Sequence, residues 1–242
     1  MPIFAKLEIC KDATPRSAAV NMAIDEALLE TAKVPSIRFY RWNSPALSFG
    51  YFGKFADVAN YAPRRDLVRR WTGGGIVFHG DDLTYSIVIP ANDPAFSESS
   101  MLIYEKIHCA LCSALLANGE RAELAPVAGV VDAGAAIIDR GYSCFANPVR
   151  ADVMVNGRKV AGAAQRRTRG SLLHQGSIQL ARGWVRVAAT TGDVDLGNGL
   201  AERFAKELSE GRNEKSLSNT LVERAEKIAE QKYNTKNWLQ GR

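Results

Sequence analysis

Three consecutive glycines, Gly73-Gly74-Gly75, stand between two alternating apolar runs, and no other feature constrains the chain as strongly. Glycine loses the most backbone freedom on ordering, so a triple run weakens any strand or helix that contains it. Such a run suits a place where backbone must approach another surface with no Cβ in the way. Arg69-Arg70-Trp71-Thr72 leads into it, and Ile76-Val77-Phe78-His79 leaves it. The guanidinium of Arg70 is suited to pairing with a carboxylate or phosphate. The stretch reads as a cradle for a substrate with an acidic end, or equally as a glycine turn between two strands.

Hydrophobic periodicity fills in the surroundings. Alternation predicts strands over residues 3–9, 36–42, 46–51, 67–70, 76–79 and 83–90. Thr14-Pro15 predicts a helix start, with Ala19, Met22, Ala23 and Ala27 as its apolar stripe. Asn21, Asp25 and Glu26 on that helix read as surface polar groups. Ser97 or Ser99 caps a second helix with Tyr104, Ile107, Leu111 and Leu115 on one face, and Asn118-Gly119 stops it. Residues 122–138 fit short strands or loops. Asn156-Gly157 between alternating runs predicts a two-residue hairpin. Its register pairs Val155 with Arg158, Met154 with Lys159 and Val153 with Val160, and sets Lys159 on one face with Met154, Asp152 and Ala161. Lys159 then projects over small residues toward a pocket, or is a solvated hairpin lysine. Residues 170–180 predict a further strand carrying His174, which is functional or ties strands together. His79 has the same two readings. From Leu200 onward the chain reads as helical, with a capping box at Thr220 to Glu223, a last helix ending near Tyr233, and Trp238 docking the terminus.

Composition removes several classes of function. No apolar run in the 242 residues approaches the ~20 needed to cross a bilayer. The start, Met1-Pro2-Ile3-Phe4-Ala5-Lys6, lacks the layout of a signal peptide, so a cytoplasmic protein without membrane association is expected. Four cysteines do not make a disulfide scaffold at this length. Cys109 and Cys112 have redox spacing but fall inside a predicted helix, where they read as inert thiols. A zinc site there would have only His108 to add. The net charge is +5, with clusters at Arg64-Arg65, Arg69-Arg70 and Arg166-Arg167-Thr168-Arg169. Such scattered basic surface suits an acidic protein partner.

Three blocks together resemble the lipoate-protein ligase and octanoyltransferase family, related more distantly to biotin protein ligases. Asn21-Met22-Ala23-Ile24-Asp25-Glu26 is similar to the family's first helix. Residues 69–79, continuing to Leu83-Thr84-Tyr85-Ser86, are similar to its substrate cradle. Residues 157–166, with His174-Gln175-Gly176-Ser177, are similar to its lysine hairpin and following strand. The blocks span roughly residues 20 to 180, and their order and spacing make the signal far more specific than a lone glycine motif.

The resemblance implies an α+β fold, a mixed and largely antiparallel sheet flanked by helices. It implies one biotin/lipoate-ligase-like catalytic domain over 1–242, with 200–242 as a C-terminal helical extension. The implied activity attaches an octanoyl or lipoyl group to a lysine of an acidic carrier. Cys144 is placed like the nucleophile of the cysteine-thioester octanoyltransferase class, with Lys159 as the other catalytic residue. A thiol is a poor nucleophile until ionised, and a neighbouring ammonium favours the thiolate. Without the family, Cys144 reads as a small buried hydrophobe. Arg70, Trp71, Thr72, Gly73, Gly74, Gly75, His79, Gly162, Ala163, Ala164 and His174 are implied as substrate-binding, with no metal site. The implied donor is acyl carrier protein, and the acceptor a lipoyl-domain or glycine-cleavage-type carrier protein. Neither nucleic acid nor cofactor is expected for that transferase. The run Gly73-Gly74-Gly75 instead resembles the ATP-dependent lipoate ligases, which use ATP and Mg2+. A non-catalytic carrier-binding module is a third reading, against which the presence of both Cys144 and Lys159 argues.

Overall fold

The computed structural model describes residues 2–80, 82–126, 148–179 and 199–241, together with two short strands at 185–187 and 194–196. In chain order the elements are β1 (Lys6–Lys11), α1 (Ala18–Thr31), β2 (Ser36–Tyr40), β3 (Ala46–Phe49), β4 (Asp66–Arg69), β5 (Ile76–His79), β6 (Asp82–Pro90) and α2 (Ser100–Leu116). There follow β7 (Ala122–Leu124), β8 (Val153–Val155), β9 (Arg158–Arg167), β10 (Ser171–Gln179), β11 (Val185–Val187), β12 (Val194–Leu196), α3 (Leu200–Leu208), β13 (Gly211–Ser216), α4 (Asn219–Ile228) and α5 (Lys236–Gln240).

Eight strands form the main sheet in the order β13-β1-β2-β6-β10-β9-β8-β7. β13, β1 and β2 run parallel to one another, and every pairing from β2 to β7 is antiparallel. All nine residues of β6 are buried, because helices cover one face of the sheet and helices plus a second sheet cover the other. On one face α2 and α3 pack Ile107, Leu111, Leu115 and Phe204 against Ile87, Ile89, Leu172 and Ile178. On the other, α1 and α4 pack Met22, Ala23 and Ile228 against Tyr40, Val88 and Leu173. Truncating one such fully buried residue, for example Ile107→Ala, would cost about 2–5 kcal/mol through lost transfer energy and a cavity. Beside α1, a three-stranded sheet in the order β4-β3-β5 packs on the same face of the main sheet. Among the described residues no helix is long and apolar enough to cross a membrane.

Several local expectations are revised. Ser17, not Thr14-Pro15, opens α1, its side chain accepting from Val20 N–H. Asn21 and Asp25 are fully buried rather than on the surface. Arg38 draws them in: it is itself fully buried, and reaches Asp25 at 2.9 Å, Asn21 Oδ1 at 2.6 Å and Asp12 at 2.7 Å. Residues 200–242 are not all helix, since β13 extends the main sheet alongside β1. Ser218, not Thr220, caps α4. A last helix, α5, follows the one ending at Tyr233, and Trp238 does anchor it, donating Nε1–H to the Arg69 carbonyl at 2.9 Å. Cys109 and Cys112 lie within α2 as expected, and burial pushes the Cys112 thiol up to about 12, which leaves it protonated.

Candidate active site

A slot of about 460 Å3, counted out to its open mouth, lies between the main sheet and the three-stranded sheet. Its floor is β6, β10 and β9, and its roof is β3, β5 and the loop of residues 70–75. Gly162 pairs with Ser177, which pairs with Thr84, so one floor row crosses three strands. Two inter-strand spacings make that row about 10 Å long.

Two buried carboxylates fix the slot wall. Asp25 accepts from Arg38, from Ser86 Oγ at 2.7 Å, from Gln175 Nε2 at 2.7 Å and from Tyr40 OH at 3.2 Å. The opposite end of the Gln175 amide accepts from Thr72 Oγ1 at 2.7 Å, so the start of the glycine loop is tied to α1 through the floor. On the other side Asp82 accepts from Ser177 Oγ at 2.7 Å, Thr84 Oγ1 at 2.8 Å and His79 Nδ1 at 2.8 Å. Burial alone would raise the Asp82 carboxyl, but His79 and these hydroxyls outweigh it and hold it down to about 2.

His79 passes this constraint to the roof. Its Nε2 lies 2.6 Å from Ser48 Oγ, which also accepts from Arg70 Nη1 at 2.7 Å. Arg70 takes one lone pair of Ser48 Oγ, and His79 Nε2 meets either the second lone pair or the hydroxyl proton. Arg70 then donates through Nη2 to the carbonyls of Gly73 and Gly75, at 3.0 and 2.9 Å. The described bonds of Arg70 thus shape the glycine loop. Trp42 stacks on His79 with centroids 4.1 Å apart and donates to Thr84 Oγ1 at 2.8 Å, closing this end of the slot.

Lys159 borders the opposite end of the row. Asn156 and Gly157 turn the hairpin at φ 50° and 72°, as a two-residue turn of this type requires. Val155 pairs with Arg158 and Met154 with Lys159, as the sequence predicts, but a bulge then sets Val153 opposite Ala161 rather than Val160. Lys159 is 7% exposed, so it is not a solvated hairpin lysine. Its Nζ is 2.7 Å from Asp152, which is fully buried and also accepts from Tyr104 OH at 2.6 Å and Val149 N–H at 2.7 Å. The hydroxyl of Tyr104 in turn accepts from Ala163 N–H at 3.0 Å. A Cβ on Gly162 would come within 2.6 Å of Lys159 Cε and 2.8 Å of Nζ. Glycine at 162 therefore lets the lysine lie along the slot wall. Ala151, next to Asp152, holds φ 65°, a backbone state costing roughly 1–3 kcal/mol for a residue with a Cβ.

The floor's other face carries His174. Tyr85 OH lies 3.2 Å from His174 Nε2 and 3.4 Å from His108 Nε2, and His108 Nδ1 donates to the Ala151 carbonyl at 2.6 Å. Burial lowers both imidazoles, His108 to about 4 and His174 well below its usual value, and each also feels the other or its charged neighbours. Both are neutral near pH 7.

Of the residues read from the sequence, Arg70, Gly74, His79, Gly162, Ala163 and Ala164 line the slot. Thr72, Gly73 and Gly75 act one step back, through Gln175 and Arg70. Trp71 packs outside the slot and His174 beneath its floor. Cys144 lies outside the described residues. Sequence reasoning assigned no site role to Ser48, Asp82, Tyr104 or Gln175, and misplaced Asp25. One signal was available: Asn21 and Asp25 sit one turn apart on the stripe that Ala18, Met22 and Leu28 bury.

A model of the lipoyl protein ligase A/B catalytic domain matches residues 17–181, a range that holds every slot residue named above. An octanoyltransferase LipM of Oceanobacillus iheyensis is 39% identical over 177 residues, covering 69% of this chain and 62% of that protein. One of Halalkalibacterium halodurans is 38% identical over 177 residues, covering 70% and 64%. The chain thus spans less than two thirds of the length of these curated relatives. Among solved structures, the putative lipoate protein ligase Ta0514 of T. acidophilum with bound lipoic acid superposes with a TM-score of 0.71 at 20% identity, covering 98% and 99% of the two chains. A lipoate-protein ligase A bound with ATP superposes with a TM-score of 0.68 at 21% identity, covering 100% and 99%. The shared fold is the one expected, an α+β sandwich about a mixed, largely antiparallel sheet.

Proposed function

The chain belongs to the lipoyl protein ligase A/B catalytic-domain family, and from that premise we propose that it transfers an octanoyl (or lipoyl) group from acyl carrier protein to a lysine of an acidic carrier. The acceptor would be a lipoyl-domain or glycine-cleavage-type protein, the setting the cytoplasm, and 1–242 one catalytic domain. The observation that carries the reading is the slot itself: a floor row about 10 Å long, closed by Trp42 on His79, with a buried lysine at its other end. That length suits an extended eight-carbon chain whose carbonyl stops beside Lys159.

In this reading the Cys144 thiolate attacks the donor thioester, the carbon–sulfur bond to the donor breaks, and the donor thiolate leaves and takes up a proton. The amine of the acceptor lysine then attacks the acyl-cysteine, loses a proton, and releases the Cys144 thiolate. Lys159 stabilises the thiolate and the charge that develops on the acyl oxygen. A cation withdrawn from water and held by Asp152 acts at low dielectric without reorganising. The relatives named octanoyltransferase LipM support this direction of transfer.

Intact mass spectrometry after mixing with octanoyl-acyl carrier protein, without ATP, tests it. The expected outcome is a hydroxylamine-labile octanoyl adduct on the wild type and none on Cys144→Ala. The third glycine, Gly75, favours a second reading, an ATP- and Mg2+-dependent lipoate ligase, by leaving room beside the loop for an adenylate. Acyl-adenylate formation with lipoate, ATP and magnesium, and no adduct from the carrier, would establish that reading. Carrier binding with neither product would mark a non-catalytic module.

A further inference from the structure

The basic run after the slot-lining residues contains an arginine that the slot does not use. Gly162 and Ala164 line the slot, and Arg166 follows two residues on, on the same face of β9 just beyond it. Its guanidinium carbon lies over the ring of Tyr51, at 5.3 Å from the centroid, and over that of Trp71, at 5.1 Å. Both rings belong to the wall around the glycine loop, where Tyr51 N–H donates to the Thr72 carbonyl at 2.9 Å. The Lys232 ammonium covers Trp71 as well, at 4.0 Å from its centroid.

The other arginines near the slot have their donors engaged. Arg38 is paired with Asp12 and Asp25, Arg69 donates to carbonyls of Tyr51, Gly53, Trp238 and Leu239, and Arg70 donates to Ser48, Gly73 and Gly75. Arg166 differs: among the described residues it has no carboxylate within ion-pairing distance and no hydrogen-bond acceptor. The two rings hold the guanidinium in place, and its N–H donors are left for a ligand. Glu26 neutralises Lys232 at 2.7 Å, but nothing described neutralises Arg166. Burial lowers the Lys232 ammonium, Glu26 opposes this, and the adjacent Arg166 charge pushes the same way as burial, which places the two cations side by side.

We propose that Arg166, backed by Lys232, anchors a phosphoryl group attached to the acyl donor, so that a phosphopantetheine thioester is held at two points, its acyl chain in the slot and its phosphate at the mouth. A planar guanidinium with a free edge takes two phosphate oxygens at once. The spacing also suits an arm: Gly162 to Arg166 spans about 13 Å of extended strand. The inference rests on the transfer reading above.

The test compares octanoyl-4′-phosphopantetheine with octanoyl-pantetheine as donors, in wild type, Arg166→Gln and Arg166→Lys, with thermal melting to check folding. Wild type should show a KM at least tenfold lower for the phosphorylated donor. Arg166→Gln should close that gap and Arg166→Lys should keep part of it, with the salt dependence of KM confined to the phosphorylated donor. Equal KM values in wild type, or a gap that survives in Arg166→Gln, would overturn the anchor while leaving transfer intact, because octanoyl-pantetheine would still be consumed. If neither thioester is consumed and Arg166→Gln instead raises the KM for ATP in acyl-adenylate formation, the phosphoryl group belongs to a nucleotide and the donor assignment fails together with the transfer reading.

Discussion

Adjacent residues on β10 face two differently built polar environments. Gln175 and Ser177 look into the slot and are held by the carboxyl groups of Asp25 and Asp82, each accepting three or more hydrogen bonds. His174 looks the other way, into a cluster of neutral groups with Tyr85 and His108. On the slot side, hydrogen bonds to carboxyl groups fix the geometry, and at Asp82 the charge is lost only in strong acid. On the α2 side, burial fixes the protonation state, and mild acid is enough to oppose it. Lys159 and Asp152 form an ion pair set between the two, near the slot yet bound to Tyr104 of α2. A wall that must keep its shape is built from charge, whereas the layer beneath it only has to stay dry.

The hardest test of that comparison is Lys159→Met. It should lower turnover by roughly 10²–10³-fold, the usual cost of losing one preorganised charge stabiliser. It should also cost about 3–5 kcal/mol in urea unfolding, because Asp152 is left buried without its cation. A variant of normal stability would show that the pair is not structurally coupled to α2.

The next largest effect separates the two faces by pH. His108 has its folded value, about 4, below its unfolded one, so the unfolded chain takes up the proton first. Its contribution is whole above about pH 6.5 and is lost as pH falls toward 4, about 3 kcal/mol in all. His174 titrates in the same direction. Denaturation midpoints measured from pH 7 to pH 4 should fall, and His108→Gln should remove about one proton from the slope. A flat profile would mean that the α2 face is not held by neutral imidazoles.

The slot face should respond later and less. Asp82 has its folded value lowered to about 2, so its contribution is present above about pH 4 and lost as pH falls through 2. Asp82→Asn should cost about 2 kcal/mol at pH 7 and flatten the profile only below pH 4. If it instead changes the pH 4–7 region, the two faces are coupled.

How much of this was legible varied with the physics of each segment. The strands from β2 to β6 and the hairpin were readable because one face or both meet a core, which writes a period into the sequence. The paired blocks around Gly73 to Gly75 and Lys159 gave the family and most of the slot wall. β13 was invisible for the opposite reason: all six of its residues are exposed, and a polar edge strand has no alternation to detect. Asn21 and Asp25 misled because burial of a carboxylate depends on Arg38, a partner 13 and more residues away. Lys159 kept two readings for the same reason, since its burial depends on Asp152 and Tyr104.

The bulge in the lysine hairpin works as a parity shift. Side chains alternate along β9, so an odd-numbered Lys159 and an even-numbered floor of Gly162 and Ala164 belong on opposite faces of a regular strand. The extra residue before Ala161 moves the count by one: Val153 and Ala161 meet the core under α2, while Lys159 comes round to the side of Gly162. Chain length between Gly157 and Gly162, and not residue type alone, therefore decides whether the ammonium faces the slot. A relative that kept the lysine and every floor residue but lacked one position in that interval would carry the same letters and present the charge to the wrong layer.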